Sequence, residues 1–328
     1  MQTKFAEWVV NRPQRLAMPI GVYAGLEITQ ATIRDAVTSA QAQIDAVMAL
    51  RDRFQTPVMM TAMDLSAEAE TYGCTVRMSD DEIPTVVGRR VHQLEEIHAL
   101  PEPCPGDART QVYLDACRQV SKLGPVPVLG GMIGPFSLAA RIFGVSEILE
   151  QTAIDAEPVI ALLERVTRFL TAYAKAFHGA GAYGIVMAEP VAGLLSPRGL
   201  GRFSAPYVRQ IIEAVQCPDF TVILHNCGAK LNHLPYVLQS GAEIYHFGVP
   251  MDLTEALQKV ENNVILSGNL DPTAVFHQGT PDSVRSDTLK LMEDTRAYKN
   301  FIISSGCDLP PGVPLANLAA FYEAVSAG

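Results

Sequence analysis

Apolar residues recur every three or four positions in two stretches of the chain, the spacing of one helical face. The first stretch covers residues 33–47 and predicts a helix that ends near Phe54. The second covers residues 163–177, and Gly179 and Gly181 follow it at the position where helices commonly end. These patterns predict two amphipathic helices that each precede a strand.

Short apolar runs of strand length alternate with the helical stretches. They read TPVMMTAMD, YGIVMA, FTVILHNCG, EIYHFG, VILSGNLDP and NFIISSGCDLPP. Nearly every run turns polar where it ends, at Asp64, Glu189, His225, Cys227, His246, Asn269, Asp271, Cys307 and Asp308. The alternation predicts an α/β fold, and the number of strands and the lack of a GxGxxG fingerprint favour a (βα)8 TIM barrel over a doubly wound sheet. We expect a short N-terminal helical extension, and we expect the polar ends to meet at the barrel mouth.

Composition and charge narrow the class of protein. The 328 residues contain no repeat and no linker, which predicts a single domain over residues 1–328. With 25 Lys+Arg against 35 Asp+Glu, the net charge of -10 argues against binding of nucleic acid or of an anionic membrane. The uncharged run 123–140 is rich in Gly and Pro, so we expect a buried strand and an active-site loop there and not a membrane span. The N-terminus lacks the apolar core of a signal peptide, and the six cysteines lack a disulfide spacing, so we expect a cytoplasmic protein.

Two cysteines and one histidine form the candidate metal site. His225 and Cys227 are two residues apart, so in a strand their side chains point to the same face. Cys307 can join them from a later strand end. Two thiolates and an imidazole suit Zn²⁺, and three protein ligands leave a position open for substrate, as in catalytic zinc sites. Spacing alone leaves purely structural roles for these residues open, because buried Cys and hydrogen-bonded His are common.

Several segments resemble the uroporphyrinogen decarboxylase superfamily. They are DLSAEAETYGC (64–74), GGMIGPFSLAARIFG (130–144), EPVAGLLSP (189–197), LHNCG (224–228), SGNLDP (267–272) and GCDLPPGVPLANLAA (306–320). Within the superfamily they look most like the corrinoid-dependent methyltransferases that pass a methyl group to coenzyme M or a related acceptor. The resemblance covers nearly the whole chain from Asp64 to Ala320 and is weak before it.

The resemblance implies a zinc-dependent methyltransferase. Its H-x-C motif and later GCD segment fall on His225, Cys227 and Cys307, which are therefore the expected zinc ligands. The expected methyl donor is a methylcobamide carried by a corrinoid protein, and the expected acceptor is a small thiol, whose identity and whose possible replacement by a folate-type amine stay open. Zinc would convert the thiol to a thiolate that attacks the methyl carbon.

Further residues have two interpretations each. Glu189 is a candidate fourth zinc ligand or a hydrogen-bonded acid, and Asp64 orients the acceptor or caps a helix. Gly131 and Gly134 let the backbone approach a bound cofactor or form a tight turn, and Asn269 is a candidate cofactor contact. Asp308 is a candidate for contacts just outside the ligands, whereas we interpret His246 as structural.

Two alternative functions remain. A zinc-free decarboxylase-like enzyme acting on a tetrapyrrole needs an arginine cluster for carboxylates, but the corresponding segment reads PIGVYAGLEIT and only Arg12, Arg15 and Arg34 lie near it. A non-catalytic barrel that binds a corrinoid protein or holds zinc structurally predicts a metal closed off by four protein ligands.

Overall fold

A computed structural model describes residues 3–327. Its strands are β1 (Met59–Met60), β2 (Thr75–Arg77), β3 (Thr85–Val87), β4 (Val128–Ile133), β5 (Gly184–Ala188), β6 (Thr221–Asn226), β7 (Ile244–Phe247), β8 (Ile265–Leu270) and β9 (Phe301–Ser305). Its α-helices are α1 (Lys4–Val10), α2 (Leu26–Thr29), α3 (Ile33–Thr38), α4 (Ala40–Phe54), α5 (Ala67–Thr71), α6 (Leu94–His98), α7 (Thr110–Val120), α8 (Pro135–Phe143), α9 (Val145–Ile154), α10 (Glu157–Gly179), α11 (Pro197–Phe203), α12 (Ala205–Val215), α13 (Leu234–Val237), α14 (Leu253–Gln258), α15 (Pro281–Asp294) and α16 (Leu315–Ala327). Within this range, no helix is both long enough and apolar enough to cross a membrane.

Seven strands form one parallel sheet in the order β1-β4-β5-β6-β7-β8-β9. Strands β4 to β7 and β9 are buried at every position, as expected for a parallel sheet covered by helices. All six apolar runs that the sequence marks as strands form strands of this sheet. The remaining two strands, β2 and β3, pair antiparallel in a hairpin inserted between β1 and β4.

Residues 16–18 form an eighth parallel segment, which lies next to β9. The amide of Met18 donates to the carbonyl of Ile303 (2.9 Å), and the amide of Ile303 donates to the carbonyl of Leu16 (3.0 Å). On its other side, Pro19, Gly21 and Val22 line a cavity of about 30 Å³ together with β1. The predicted (βα)8 barrel and its N-terminal helix α1 are therefore confirmed, although the pattern of apolar positions did not predict this short first strand.

The curvature of the sheet is visible in one distance. Strands β6 and β9 are three positions apart, which in a flat sheet would separate them by about 14 Å. Nevertheless Nε2 of His225, on β6, lies 3.6 Å from Sγ of Cys307, just beyond β9. The sheet therefore curls until the ends of distant strands share one mouth.

Two helical predictions need correction. The predicted helix over residues 33–54 is two helices, because Ser39 adopts an extended backbone and its hydroxyl accepts a hydrogen bond from the amide of Ala42. The side chain thus starts a new helix where the apolar period continues without a break. The second correction concerns residues 134–140: helix α8 begins at Pro135, directly after β4, in place of the expected loop.

Helix α10 packs on β4 through an aromatic ring. A Cβ at Gly130 would lie 2.5 Å from the Phe177 ring, so only glycine leaves room for it. Phe177 is fully buried and its ring centroid lies 4.7 Å from that of Tyr173. This contact fixes the helix against the strand that leads into the mouth.

We expect Phe177→Ala to lower the free energy of unfolding by about 3–5 kcal/mol, because it opens a cavity in the close-packed layer between α10 and β4. Urea unfolding followed by circular dichroism measures the change. Leu123→Ala is the control, since Leu123 is 53% exposed and its loss is expected to cost less than about 0.5 kcal/mol. Equal effects of the two substitutions would contradict this account of the core.

Candidate metal centre

The ends of β6 and β9 bring three potential ligands together. His225 is in β6, Cys227 follows that strand, and Cys307 follows β9. Their ligand atoms all lie within 4.8 Å of one another. They line a cavity of about 160 Å³ whose other walls are Met63, Leu65, Ile83, Pro84, Arg141, Ala188, Pro190 and Asp308. Ile83 and Pro84 come from the hairpin connection, so the inserted β2–β3 unit forms part of the cavity wall.

A chain of hydrogen bonds crosses the barrel interior behind His225. Nδ1 of His225 lies 2.7 Å from Nδ1 of His246, and Nε2 of His246 lies 2.8 Å from Oγ of Ser304. The Ser304 hydroxyl donates to the carbonyl of Met18 at 2.6 Å. The chain thus links β6, β7, β9 and the N-terminal strand.

The chain determines which nitrogen of each ring carries a proton. A carbonyl can only accept, so the Ser304 hydroxyl gives its proton to Met18 and accepts from Nε2–H of His246. Burial, and then the neighbouring His225, hold the pKa of His246 well below its ordinary value, so this ring is neutral and its Nδ1 accepts from Nδ1–H of His225. Nε2 of His225 therefore presents a lone pair toward Cys307. This is the tautomer that a metal ligand needs.

The two thiols titrate as a pair. The neighbouring Cys307 thiol lowers the pKa of Cys227 to about 7 although burial opposes the shift. The neighbouring Cys227 sulfur, followed by burial, raises the pKa of Cys307 to about 12. Cys227 is consequently the sulfur that loses its proton first. One nitrogen and two sulfur donors in this arrangement fit the preferences of Zn²⁺.

Glu189 is next to the site but bonded elsewhere. One carboxylate oxygen accepts from the amide of Phe136 (2.8 Å), and the other accepts from the amide (3.1 Å) and hydroxyl (2.9 Å) of Ser137. These donors form the start of α8, and a Cβ at Gly134 would lie 2.3 Å from Cγ of Glu189. The prediction of Glu189 as a fourth ligand is therefore not supported, because both oxygens bind the helix, and Gly134 is the small residue that allows it.

Asp64 also lies in a buried network. One of its oxygens accepts from the guanidinium of Arg109 and from the hydroxyl of Tyr113 (3.0 Å). The other accepts from the amide (2.9 Å) and the hydroxyl of Ser66, just before α5. Asp64 does not line the cavity. Of its two interpretations, the structure favours the helix-start role over orientation of an acceptor.

The three predicted cofactor contacts lie outside the cavity wall. A Cβ at Gly131 would lie 3.0 Å from the carbonyl of Ala62, so this glycine allows β1 and β4 to approach closely. The Asn269 amide donates to the carbonyls of Gly248 (3.0 Å) and Met251 (2.8 Å) and thereby ties down the segment after β7. Gly131, Gly134 and Asn269 thus support the neighbouring backbone and do not face the cavity.

The N-terminal arginines are engaged away from the mouth. Arg12 lies over the ring of Trp8 (4.5 Å), Arg15 donates to Thr295, and Arg34 pairs with Asp80. None of the three lines the cavity. They offer no carboxylate-binding cluster at this site.

Sequence reasoning missed two features. The sequence predicts a structural role for His246, and in the structure this ring contacts His225 directly; its position at the end of a neighbouring strand was the available signal. A second group, His178, Cys217 and Asp219, also places its ligand atoms within 4.8 Å of one another. It lies before β5 and β6, at the opposite end of the barrel, and the side chains of His178 and Asp219 are 41% and 62% exposed.

Glu68 is a buried acid beside the site. One oxygen accepts from the amide of Ile133 (2.9 Å), and the other has no hydrogen-bond partner among residues 3–327. Burial, only partly offset by that hydrogen bond, raises the pKa of Glu68 from 4.5 to about 8. The carboxyl group is therefore largely protonated in the folded protein at neutral pH.

Comparison with known proteins shows the family of this chain. Residues 15–328 match the family model described as uroporphyrinogen decarboxylase (URO-D). The chain belongs to the uroporphyrinogen decarboxylase family. The methylcobamide:CoM methyltransferase MtbA of Methanosarcina acetivorans is 32% identical over 265 residues, which are 79% of this chain and 76% of that protein. The uroporphyrinogen decarboxylase of Prochlorococcus marinus is 29% identical over 205 residues, 60% of this chain and 57% of that protein.

Two solved structures share the fold of this chain. A methyltransferase from Methanosarcina mazei matches with a TM-score of 0.89 over 100% of this chain and 99% of that one, at 21% identity. A B12-independent methionine synthase from Shewanella matches at a TM-score of 0.58 and 14% identity, over 96% and 95%. The predicted resemblance to the family, and within it to the methylcobamide:coenzyme M methyltransferases, is confirmed.

We expect Glu68→Gln to remove part of the loss of stability that occurs as the pH rises from about 4.5 to about 8. Because the folded pKa exceeds the unfolded one, the stability that protonated Glu68 contributes is fully present below pH 4.5 and is lost as the pH rises toward about 8, a loss on the order of a few kcal/mol. Urea unfolding of both proteins at pH 5, 7 and 9 measures it. Glu213→Gln, at a side chain 66% exposed, is the control, and parallel pH profiles of wild type and Glu68→Gln would refute the assignment.

Proposed function

We propose that this protein is a zinc-dependent methyltransferase that moves a methyl group from a methylated corrinoid protein to a small thiol. The observation that carries the proposal is the convergence of Nε2 of His225 and the sulfurs of Cys227 and Cys307 in one cavity. The names of the most similar relatives support it, since those proteins are methylcobamide:CoM methyltransferases. Coenzyme M is accordingly the first acceptor to test.

Each residue of the centre has a defined task. His225, Cys227 and Cys307 would hold Zn²⁺, and the chemistry that the ion would supply is a lowered pKa of the acceptor thiol, so that the thiolate would be present at neutral pH. His246 and Ser304 keep the Nδ1 proton of His225 in place, so its other nitrogen stays available. The apolar walls at Met63, Leu65, Ile83 and Pro84 exclude water from the acceptor.

The proposed transfer is a single displacement. The acceptor thiol releases its proton to solvent, and its sulfur forms a bond to the methyl carbon while the carbon–cobalt bond of the donor breaks. Both electrons of that bond stay with the corrinoid, so cobalt goes from Co(III) to Co(I). The protein positions the two reactants, which is the proximity contribution to rate.

Two observations argue against the alternatives. A decarboxylase acting on a tetrapyrrole needs several cations for the substrate carboxylates, but Arg141 is the only Arg or Lys among the described residues that line the cavity. A structural zinc would need a fourth protein ligand, and Glu189 is bound to α8 instead. A thiol is favoured over a folate-type amine because the chemistry supplied by zinc is deprotonation of a thiol.

Metal analysis of the purified protein is the first test. We expect about one equivalent of zinc in the wild type and its loss in His225→Ala and in Cys307→Ala. With methylcobalamin and 2-mercaptoethanesulfonate at pH 7, both variants should be slower by roughly thirty-fold or more, since a free thiol of pKa near 8.5 is only about 3% thiolate there.

The second group of potential ligands, His178, Cys217 and Asp219, supplies the matched control. Cys217→Ala removes a cysteine from the His178 group and should keep both zinc and methyl transfer. Zinc retained in Cys307→Ala but lost in Cys217→Ala would place the metal in the His178 group, at the opposite end of the barrel, and would contradict the proposal. Full methyl transfer by Cys307→Ala would contradict the mechanism.

We expect His246→Phe to weaken zinc binding by about 10- to 100-fold, because the acceptor for Nδ1–H of His225 is lost. The fold should be kept, because the phenyl ring fills the space of the imidazole. Competition with a chromophoric chelator measures the affinity. His233→Phe is the control, since His233 is also buried but is bonded to Leu195 and Lys230 away from the site. Unchanged affinity in His246→Phe would show that the hydrogen bond does not support the ligand.

A further inference from the structure

A second set of potential metal ligands lies at the end of the barrel opposite to the candidate metal centre. His178 is in the last turn of α10, and Cys217 and Asp219 belong to the turn that leads into β6. One ligand atom from each residue lies within 4.8 Å of the other two. Among residues 3–327, this is the only such group of His, Cys and acidic side chains besides the candidate metal centre.

The separations between the donor atoms suit a small ion. Sγ of Cys217 lies 3.2 Å from Oδ1 of Asp219, and Nε2 of His178 lies 3.9 Å from Oδ2 of the same carboxylate. An ion with tetrahedral bonds of about 2.0–2.3 Å holds its N, O and S donors roughly 3.3–3.7 Å apart. Only small side-chain adjustments therefore separate the observed arrangement from a coordinated one.

Hydrogen bonds and packing hold the three side chains in place. The amide of Cys217 donates to the carbonyl of Phe220 (3.1 Å), and the amide of Phe220 donates to the carbonyl of Cys217 (3.0 Å). The carbonyl of Pro218 accepts from the amide of Lys4, at the start of α1 (2.7 Å). The His178 ring packs on the buried ring of Phe220, with 4.8 Å between the ring centroids. Because the backbone is already ordered, an ion that binds here has little ordering to pay for.

The donor set indicates the kind of ion. One imidazole nitrogen, one sulfur and one carboxylate suit divalent transition-metal ions such as Zn²⁺ or Co²⁺, whereas Ca²⁺ and Mg²⁺ prefer oxygen donors alone. The side chains of His178 and Asp219 are 41% and 62% exposed, so a bound ion keeps contact with water. Four-ligand zinc sites have dissociation constants of roughly tens of nanomolar or tighter. With three donors in an exposed place, we expect a weaker dissociation constant, on the order of micromolar.

We propose that His178, Cys217 and Asp219 form a second, reversible binding site for a divalent transition-metal ion such as Zn²⁺. The ion joins the last turn of α10 to the turn before β6, and water completes its coordination. The three residues do not line the cavity of the candidate metal centre, and the inference does not depend on the proposed function. Purified protein is still expected to contain about one equivalent of zinc, because a micromolar site empties when free ion is removed.

Equilibrium dialysis of the zinc-loaded protein against Co²⁺ counts this site. We expect one equivalent of Co²⁺ per chain, together with a near-ultraviolet charge-transfer band from the Cys217 thiolate to cobalt. The candidate metal centre keeps its Zn²⁺, because Co²⁺ binds the same donors more weakly than Zn²⁺ does. About a tenfold excess of Zn²⁺ over Co²⁺ should remove the band, whereas the same excess of Ca²⁺ or Mg²⁺ should leave it.

Substitutions show whether these side chains hold the ion. Cys217→Ala and His178→Gln should each weaken Co²⁺ binding at least about tenfold, and Cys217→Ala should abolish the band. Cys104→Ala and His98→Gln are the controls, since both residues are exposed and belong to neither group of potential ligands. Methyl transfer should be unchanged in all four variants. Cobalt bound equally by Cys217→Ala and the wild type, or bound without the thiolate band, would mean adventitious surface binding and would overturn the inference.

Cys307→Ala separates this site from the candidate metal centre. The variant lacks one donor of the centre, yet it should bind Co²⁺ with wild-type affinity and show a charge-transfer band that disappears when Cys217→Ala is added. A band that persists in the double variant with undiminished Co²⁺ binding would place the cobalt elsewhere and refute the second site. Absence of zinc from the purified wild type would contradict only the proposed function.

Discussion

The curl of the parallel sheet is the constraint on which the site depends. His225 and Cys307 are 82 positions apart in sequence and three strands apart in the sheet, yet their ligand atoms are 3.6 Å apart. Only a sheet that bends back toward closure can do this, because flat strands at that separation would be about 14 Å apart. The Leu16–Met18 segment extends the sheet by one more position beside β9 and helps to form the barrel wall.

The same segment is linked to His225 through a chain of hydrogen bonds. The carbonyl of Met18 fixes the Ser304 hydroxyl, which fixes His246, which fixes the proton on His225. The barrel wall and the protonation state of the ligand are thus determined by one set of bonds. Since every member of the chain is buried, loss of one partner leaves the next with an unsatisfied polar group, which costs about 1–3 kcal/mol. Such a chain holds the ligand ring in one orientation.

Charge is distributed unevenly around the cavity. The acids near it are either paired, as Asp64 is with Arg109, or have pKa values raised by burial, as Glu68, Glu189 and Asp308 do. The surroundings of the cavity therefore hold few negative charges in a protein whose net charge is -10. Arg141 is the one Arg or Lys among the described residues that line the cavity.

The sequence by itself determined the alternation of helices and strands and the barrel, and it predicted that His225, Cys227 and Cys307 lie together, as they do in the structure. Periodicity reports burial on one face of an element, and strand ends mark the barrel mouth, so both can be read locally. Sequence reasoning placed Glu189 and Asp64 among the candidate site residues and left His246 out of them. Those outcomes depend on contacts between separate parts of the chain. Glu189 accepts a hydrogen bond from an amide at the start of α8, and the His246 ring contacts the His225 ring on the neighbouring strand. Only the tertiary structure decided these contacts, because they join residues whose separation along the chain carries no information about their distance in space.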